Sequence, residues 1–416
     1  MRPVGLSLVF LLWFVTWWDP HRFLSNFLGN PILQVPLFFY VLLAILVVTN
    51  WKPRGWYPQF VAFFVSLAVM VPFAVNRGAA RKSLKFIILE YVLLLGTLRY
   101  VRNFRDFTPI LAMAALSFLW FAVLGVADGY VAWHPVIGNE DGFGPVMLIG
   151  GCLAYYLALG AADRRMRLVL HLTAALCLLG LVTSFTRGAT LSAAAVGLLL
   201  WLRSPHKLRT GAAIVIGIAL LVGSAELLFP GGKFWTEMKS VFEEGTSSGT
   251  GSDRWVLWQA AIKVWKQRPI FGVGPSNFGA FASQYFVYGE VGGGYENPIT
   301  LYGRDLHSIY FMLLSEAGIV GVVAFVVLLA DFWRRNLALR RPEYEATWRD
   351  LGGTAFRLRY VSLGFELALL AHLLNGLWYG LLYIHWFFSL LFLNYAIHAT
   401  VERAVKSGLT FAPARR

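Results

Sequence analysis

The chain has 416 residues, of which 58% are hydrophobic and 14% are charged, and its mean hydropathy is +0.62. This composition is typical of a polytopic helical membrane protein and excludes an ordinary soluble domain. The net charge of +14 is a topology signal rather than a nucleic-acid footprint, because most basic residues follow one set of loops. Cys152 and Cys177 both fall in apolar runs, so no disulfide framework is expected.

Apolar segments recur along the whole chain at the length of membrane spans or of helical hairpin arms. The twelve segments cover 4–18, 31–50, 59–75, 84–98, 107–126, 145–160, 168–185, 189–202, 211–229, 308–330, 360–375 and 379–398. We therefore predict an all-α fold with about 12 transmembrane helices and one large periplasmic loop. Residues 1–18 lack a small-residue cleavage pattern and are predicted to be a retained first span.

Basic residues are concentrated in alternate loops. If the N-terminus is cytoplasmic, the inward segments, including Arg2 and the tail from Val401, hold 23 of the 36 Lys and Arg residues. This asymmetry predicts that both termini are cytoplasmic. The expected division is 1–229 with nine transmembrane helices, 230–306 as a periplasmic loop domain with an interfacial helix, 307–400 with three more helices and a cytoplasmic loop at 331–359, and 401–416 as a cytoplasmic tail. Segment 331–359 is expected to form a helix on the anionic inner leaflet.

A short outward loop, 76–83, departs from this charge pattern because it contains Arg77, Arg81 and Lys82. Two interpretations are equally favoured. The cations pair with anionic lipid headgroups, or they help to hold an anionic ligand.

Arg187 lies in the middle of the apolar run from Leu168 to Leu202. A guanidinium at the centre of a membrane span costs roughly 2.5 to 3.5 kcal/mol, so such groups are functional candidates. The run is too long for one span and too short for two, since 14 residues of helix cover only about 21 Å. It predicts a helical hairpin whose tip carries Arg187 below the headgroups.

The long outward loop is the place where chemistry is expected. Residues 245–252 are predicted to be a flexible connector, and Ser252 or Asp253 to cap a following helix. Four apolar residues on that helix share one face: Trp255, Trp258, Ile262 and Trp265. Arg254 projects in nearly the same direction, so we expect it to point toward the membrane.

Two glycine-rich stretches follow. Residues 271–278 resemble a phosphate-binding loop only superficially, because they lack the lysine and the βαβ context. Residues 289–298 form either a lid or a plain connecting loop. His307 then opens the next apolar segment, with Asp305 two residues before it, and this helix start should face the same layer as Arg187 and Arg254.

Three candidate site residues thus share one predicted depth. Arg187 and Arg254, helped by Arg77, Arg81 and Lys82, form a basic site suited to a lipid-held diphosphate, because guanidinium groups bind phosphate oxygens in bidentate fashion. His307 supplies a base or orients the acceptor. No metal or other cofactor is expected, because no aspartate pair with metal-binding spacing appears in the outward loops.

Four motifs in order resemble the O-antigen ligase and polymerase superfamily. They are Ser184-Phe185-Thr186-Arg187-Gly188-Ala189, Ser252-Asp253-Arg254 with Trp258, residues 271–278, and His307-Ser308-Ile309-Tyr310 with residues 316–321. The resemblance implies an inner-membrane glycosyltransferase of a Gram-negative bacterium that moves a glycan from undecaprenyl diphosphate to lipid A-core oligosaccharide at the periplasmic face. It implies a metal-independent, inverting transfer, with Arg187 and Arg254 on the diphosphate and His307 at the acceptor hydroxyl.

Two departures leave the acceptor open. Ser308 stands where the family commonly has Asn, and residues 19–22 resemble a branch of O-glycosylation ligases associated with exosortase systems. An O-antigen polymerase or a protein O-glycosylation ligase would use the same donor. Membrane lipids are expected partners, and nucleic acid is not.

Other acidic residues and function classes have competing interpretations. For Glu90, Glu316 and Glu366, interhelical hydrogen bonding is favoured over proton or substrate handling. The carboxylates of segment 139–142 fit a solvated turn better than an acceptor site. A lipid or glycan transporter would also place arginines on a polar path, and a non-catalytic scaffold would tolerate their loss.

Overall fold

The computed structural model describes residues 2–20, 24, 35–49, 57–127, 133–134, 137–228, 230–244, 249–285, 301 and 303–408. Within these ranges the chain forms sixteen α-helices. They are α1 Arg2–Trp18, α2 Val35–Thr49, α3 Pro58–Ala68, α4 Arg77–Tyr100, α5 Phe107–Ala127, α6 Glu140–Gly160, α7 Arg164–Thr183, α8 Arg187–Arg203, α9 Lys207–Leu228, α10 Lys233–Glu244, α11 Gly249–Gln267, α12 Phe278–Tyr285, α13 Ile309–Ala338, α14 Pro342–Asp350, α15 Leu358–Asn375 and α16 His385–Lys406.

The remaining regular structure in these ranges is short. Two 3₁₀ turns cover Val71–Phe73 and Phe104–Asp106, and a two-residue antiparallel ladder pairs Trp133 with Asn139 and His134 with Gly138. The predicted all-α fold class is confirmed.

Each of the twelve predicted apolar segments overlaps one of these helices. By length and composition, five helices in the described residues can cross a membrane: Phe104–Val126, Gly142–Gly160, Arg164–Thr183, Lys207–Leu228 and Ile309–Ala338. On α9, Val215, Ile216 and Leu220 are exposed, which is typical of a helix facing lipid. The full count of twelve crossings stays a prediction, as do the periplasmic loop and the domain boundaries.

Polar residues mark where several of these apolar helices begin. Asp163 accepts a hydrogen bond from the Met166 amide (2.7 Å) at the start of α7, and Asn76 accepts one from the Ala79 amide (3.0 Å) at the start of α4. Such caps satisfy backbone donors that the helix itself leaves unpaired. The long outward helix differs from its prediction: α11 begins at Gly249, three residues before Ser252. Residues 245–248 of the predicted connector lie outside the described residues.

The bundle centre lies where α6 packs between α7 and α15. Aromatic side chains fill it from α5 and α6, and Phe118, Phe121 and Phe143 are fully buried there. The first helix is part of the same core, because Trp13 donates to the Thr97 hydroxyl of α4 (2.9 Å). Close packing of this kind sets the ends of the helices relative to one another.

One end of the bundle gathers several loops that were predicted to face inward. The Ala162 amide donates to the Ala355 carbonyl (2.9 Å), and the Arg357 amide donates to the Gly160 carbonyl (3.0 Å). At the same end, the buried Glu366 of α15 forms ion pairs with Arg203 (2.6 Å) and with Arg340. These contacts bring the C-terminal ends of α6, α8 and α13 together.

Segment 331–359 differs in part from its prediction. The helix α13 continues to Ala338, and α14 then docks against protein: Trp348 is buried and donates to the Phe356 carbonyl (2.8 Å). A tryptophan on a lipid-facing helix would instead be exposed in the isolated chain, so this segment is held by protein packing.

Helix α13 is broken at Gly318, which has φ 62° and ψ −167°. The chain 269–274 fills the break through four backbone hydrogen bonds of 2.9–3.1 Å. Their donors and acceptors are Ile319 to Pro269, Val320 to Ile270, Val273 to Ser315, and Gly274 to Glu316. This irregular segment of turns therefore satisfies the amides and carbonyls that the kink releases.

We predict that Gly318→Ala destabilises the protein. Its backbone conformation is essentially restricted to glycine and costs other residues about 1–3 kcal/mol, and an added Cβ would overlap the Ile270 carbonyl. The midpoint of thermal unfolding in detergent should fall by about 2 °C or more. Gly217→Ala, at a helix position with open space around it, is the matched control, and equal midpoints for the two variants would contradict the prediction.

Candidate functional site

The predicted hairpin is present, and Arg187 lies at its tip. Helices α7 and α8 are joined by the three residues 184–186, with Phe185 in a left-handed conformation (φ 54°). The Ser184 and Thr186 hydroxyls hydrogen-bond to each other (2.6 Å). A Cβ on Gly144 of α6 would approach both hydroxyls at 2.7–2.8 Å, so the tip is packed tightly against α6.

Arg187 is the first residue of α8, where the helix dipole also favours an anion. Its guanidinium donates to the Ser240 hydroxyl (2.7 Å), and its Nε lies 3.9 Å from the Glu237 carboxylate. The Arg187 side chain is 21% exposed. Both partners belong to α10. In this structure, therefore, Arg187, the residue predicted to bind phosphate, contacts a helix that carries a carboxylate.

Sequence reasoning did not single out Glu237 or Ser240. Segment 233–244 alternates apolar and polar residues at helical spacing, which is enough to predict an amphipathic helix. Nothing in that pattern indicates which polar residue faces the hairpin about 50 residues earlier. Only the tertiary structure reveals this contact.

The segment between α15 and α16 is the largest difference from the sequence prediction near the site. The predicted last span began at 379, whereas α16 begins at His385 and residues 376–384 are not α-helical. We call residues 376–384 the α15–α16 link. Glycines at both 376 and 380 within an apolar run are the signal that could have indicated it.

The start of α8 contacts the α15–α16 link at Gly188, the residue after Arg187. A Cβ on Gly188 would lie 2.7 Å from the Trp378 Cβ and 3.0 Å from the Tyr379 hydroxyl. Since real Cβ atoms rarely approach that closely, the backbone of α8 can meet the link only because residue 188 is glycine.

Arg254 reaches the same link from α11. Its guanidinium carbon lies 6.0 Å from the centroid of the buried Tyr379 ring, at the outer limit of a cation–π contact. The Arg254 side chain and the backbone next to Arg187 therefore both lie close to Tyr379, although they belong to helices that are far apart in sequence. Guanidinium groups at one site favour an anion.

The aromatic face predicted on α11 is divided. Trp258 is half-buried, stacks on Phe311 (4.9 Å) and donates to the Leu306 carbonyl (3.0 Å), whereas Trp255 is exposed. Smaller residues face the protein instead: Val256, Leu257, Ala260, Ala261 and Val264 are buried. The helix thus packs through its aliphatic side, since small side chains allow closer approach.

His307 lies in a turn held on the same link. It has a left-handed backbone (φ 48°), its side chain is 33% exposed, and its Nδ1 lies 4.0 Å from the Asp305 carboxylate. The Ile309 amide, at the start of α13, donates to the Gly376 carbonyl (2.9 Å). The structure therefore brings the tip with Arg187, the helix with Arg254 and the turn with His307 to one short segment.

Arg77, Arg81 and Lys82 are exposed at the N-terminal end of α4. That end is fixed to residues 275–278: the Asn76 amide donates to the Asn277 side chain (2.6 Å), and Ser83 and Ser276 share a hydrogen bond (2.7 Å). The start of α4, which carries these cations, is thus hydrogen-bonded to the glycine-rich loop 271–278.

The glycine-rich loop 271–278 is held by Glu316 of α13. This buried carboxyl group accepts hydrogen bonds from the Ser276 amide (2.8 Å) and the Phe278 amide (3.1 Å), and from the Tyr383 hydroxyl (2.9 Å). Glu316 therefore joins the glycine-rich loop to the α15–α16 link. Its hydrogen bonding agrees with the favoured structural interpretation of the acidic residues.

The other two buried acids also have interhelical partners. Glu90 accepts from the Ser389 hydroxyl of α16 (3.0 Å), and Glu366 pairs with arginines at the opposite end of the bundle. The carboxylate side chains of segment 139–142 and the predicted lid at 289–298 lie outside the described part of the chain. Among the residues that are described, no group of three or more His, Cys, Asp and Glu side chains is placed to hold a metal ion.

Backbone strain coincides with the motif segments. Four non-glycine residues in the described ranges have positive φ, and three of them are Phe185, Ser276 and His307. Each such residue costs of order 1–3 kcal/mol and persists only where the surrounding structure imposes it. Strain of this kind clusters at functional sites, so it supports the location of the candidate site.

The comparison with protein families agrees with this location. Residues 172–326 match the family model described as O-Antigen ligase. This family covers O-antigen ligases and polymerases, which are glycosyltransferase-like enzymes that act on lipid-linked glycans. The match supports assignment to an O-antigen ligase-like superfamily, and with the apolar helices it indicates a membrane protein. No curated protein matches the chain.

We predict that Glu316→Gln releases the glycine-rich loop. A glutamine offers one acceptor oxygen and an amide that would face a donor, so at least one buried hydrogen bond is lost, at about 1–3 kcal/mol. Hydrogen exchange at the Ser276 and Phe278 amides should become faster. Tyr383→Phe, which removes one partner and leaves both amide bonds, is the matched control; unchanged exchange in Glu316→Gln would disprove the assigned role.

Proposed function

We propose that this chain, whose residues 172–326 match the O-Antigen ligase model, is an O-antigen ligase-type glycosyltransferase. It moves a glycan from undecaprenyl diphosphate to lipid A-core oligosaccharide at the periplasmic face of the bacterial inner membrane. The transfer is metal-independent and inverting. The observation that carries the proposal is the convergence of Arg187, Arg254 and the His307 turn on the α15–α16 link.

The diphosphate is the part of the donor that this arrangement suits best. Arg187 combines a guanidinium with the positive end of α8, and Arg254 of α11 lies 6.0 Å from the ring of Tyr379, whose hydroxyl is next to Gly188. Planar guanidinium groups bind phosphate oxygens in pairs and stabilise the negative charge that grows on a leaving diphosphate. Arg77, Arg81 and Lys82 extend the positive surface on α4, where they contact the donor or lipid headgroups.

The acceptor hydroxyl is assigned to His307. The hydroxyl oxygen attacks the anomeric carbon, the bond from that carbon to the diphosphate breaks, and the hydroxyl proton passes to the imidazole. Undecaprenyl diphosphate leaves with the electron pair of the broken bond. Attack from the face opposite the leaving group inverts the anomeric carbon, and a positioned base of this kind typically contributes about 10²–10⁴-fold to a rate.

Glu237 occupies part of the proposed phosphate site in the substrate-free structure. Its carboxylate lies 3.9 Å from the Arg187 Nε, and its side chain is 37% exposed. A diphosphate that binds Arg187 must compete with this carboxylate, or move α10 aside. Donor binding and the position of α10 are therefore coupled.

Two related functions share the donor and differ in the acceptor. An O-antigen polymerase adds the glycan to another lipid-linked glycan, and a protein O-glycosylation ligase adds it to a protein. Purified protein incubated with undecaprenyl diphosphate glycan and each acceptor distinguishes them, because the products differ in size. A transporter, the more distant alternative, would move labelled donor across vesicles when no acceptor is present.

The first test is Arg187→Lys. The variant keeps the positive charge but loses the planar fork, so transfer should fall on the order of 10²-fold. Product formation is measured with purified protein in nanodiscs, and Arg254→Lys is expected to behave in the same direction. Arg209→Lys, an exposed position on α9, is the control, and normal product from Arg187→Lys would refute the diphosphate role.

The second test separates binding from turnover. His307→Ala should lose turnover, by about 10²-fold or more, while it still binds the lipid diphosphate donor, because the arginines remain. Donor affinity is measured independently with a fluorescent undecaprenyl diphosphate analogue. Loss of binding together with turnover would show that His307 acts on the donor and not on the acceptor.

The third test concerns Glu237. Because Glu237→Gln removes the competing charge beside Arg187, the KM for the donor should fall by about two- to fivefold, as for a partly exposed ion pair. Glu343→Gln makes the same charge change on α14, at the opposite end of the bundle, and controls for overall charge. A raised KM in Glu237→Gln would mean that Glu237 holds Arg187 in its binding geometry.

A further inference from the structure

We infer that Asp305 is a positioning residue that orients the His307 imidazole. Gly380 leaves open the space in which the Asp305 carboxylate lies. This inference rests on the proposed function of His307 as the group at the acceptor hydroxyl. Asp305, Gly380 and His307 come from two segments that sequence separates by more than 70 residues, and the α15–α16 link brings them together.

The carboxylate lies between the imidazole and the link. Its Oδ2 is 4.0 Å from the His307 Nδ1. On the other side, a Cβ built on Gly380 would overlap the carboxylate and would lie 2.7 Å from its carbon. The space that any other residue at 380 would fill is thus already occupied by Asp305. Glycine at this position lets the carboxylate lie directly on the backbone of the link.

The backbone on either side of His307 is also fixed. The Leu306 carbonyl accepts from Trp258, one helical turn after Arg254, at 3.0 Å. The Ile309 amide donates to the Gly376 carbonyl at 2.9 Å. Between these two anchors His307 adopts a left-handed backbone. A histidine held by its main chain still rotates about its side-chain bonds, so the ring needs a partner of its own.

Asp305 is that partner on the Nδ1 side. An Nδ1–H directed at a carboxylate selects the tautomer whose Nε2 carries the lone pair. Nε2 then receives the proton of the acceptor hydroxyl as the oxygen bonds to the anomeric carbon and the diphosphate leaves. The Asp305 carboxylate then stabilises the imidazolium. The separation of 4.0 Å is longer than a hydrogen bond, and catalytic contacts of this kind commonly tighten when substrate binds.

The experiment is a double-mutant cycle on transfer by the full-length protein in nanodiscs. The variants are Asp305→Ala, Gly380→Ala and the double variant, with Asp305→Asn as an isosteric neutral replacement. Turnover and the KM for undecaprenyl diphosphate glycan are measured for each. Gly217→Ala on α9, which has open space around it, controls for the effect of an added methyl group, and thermal unfolding midpoints control for folding.

The expected result has two parts. Asp305→Ala, Asp305→Asn and Gly380→Ala each lower kcat on the order of tenfold or more, while the donor KM stays within about twofold. In the Asp305→Ala background, Gly380→Ala then lowers kcat by less than about threefold, because no carboxylate is left to displace. If the effects of the two substitutions on kcat multiply, as for independent sites, Gly380 does not position the Asp305 carboxylate.

The remaining outcomes distinguish this inference from the proposed function. If the unmodified protein transfers glycan and Asp305→Asn has normal kcat, Asp305 does not orient His307 and the inference fails alone. If the unmodified protein forms no transfer product with any acceptor, the proposed function fails first. Should Gly380→Ala lower the unfolding midpoint, Asp305→Asn decides: a kcat lowered about tenfold or more with unchanged donor KM supports the inference, and a normal kcat overturns it.

Discussion

The candidate site depends on close backbone approach at the α15–α16 link. Three glycines make the contacts: Gly188 of α8 meets Trp378 and Tyr379, Gly376 meets Ile309, and Gly380 meets the Asp305 carboxylate. A Cβ at any of these positions would lie within about 3 Å of a heavy atom of its neighbour, which real Cβ atoms almost never do. Other segments can therefore approach the link closely because these three positions have no side chain. The link collects a hairpin tip, a loop helix and a helix start that are far apart along the chain.

A second constraint supports the first. Helix α13 is broken at Gly318, and residues 269–274 fill the break with backbone hydrogen bonds. This joins the long loop to the membrane-length helix that starts beside His307. Glu316 lies in the same break, and it holds both the glycine-rich loop and Tyr383 of the link. The break thus connects the basic end of α4, the loop and the link in one hydrogen-bonded series.

Arg187 illustrates how local and distant effects combine. Its position at the hairpin tip follows from the length of its apolar run, which was predictable, and the helix dipole reinforces its charge. Its present partners on α10 are an acid and a hydroxyl, and these arise from packing. An arginine whose charge is balanced in the absence of substrate is less costly to bury. In the proposed reaction, the donor phosphate replaces the Glu237 carboxylate at Arg187, which links donor binding to the position of α10.

Sequence patterns alone predicted the all-α class, a helix within each of the twelve apolar segments, and the hairpin with Arg187 at its tip. These features follow from local composition, because helix-forming apolar runs and polar caps act over a few residues. The identity of Arg187, Arg254 and His307 as candidates also came from local rules on charge and helix ends. Helix packing was needed to place Glu237 against Arg187 and Asp305 on Gly380, whereas the non-helical residues 379–384 also had a local signal in the glycines at 376 and 380. Those two contacts join residues tens of positions apart, and their geometry depends on which helices pack together, which hydrophobic periodicity does not encode.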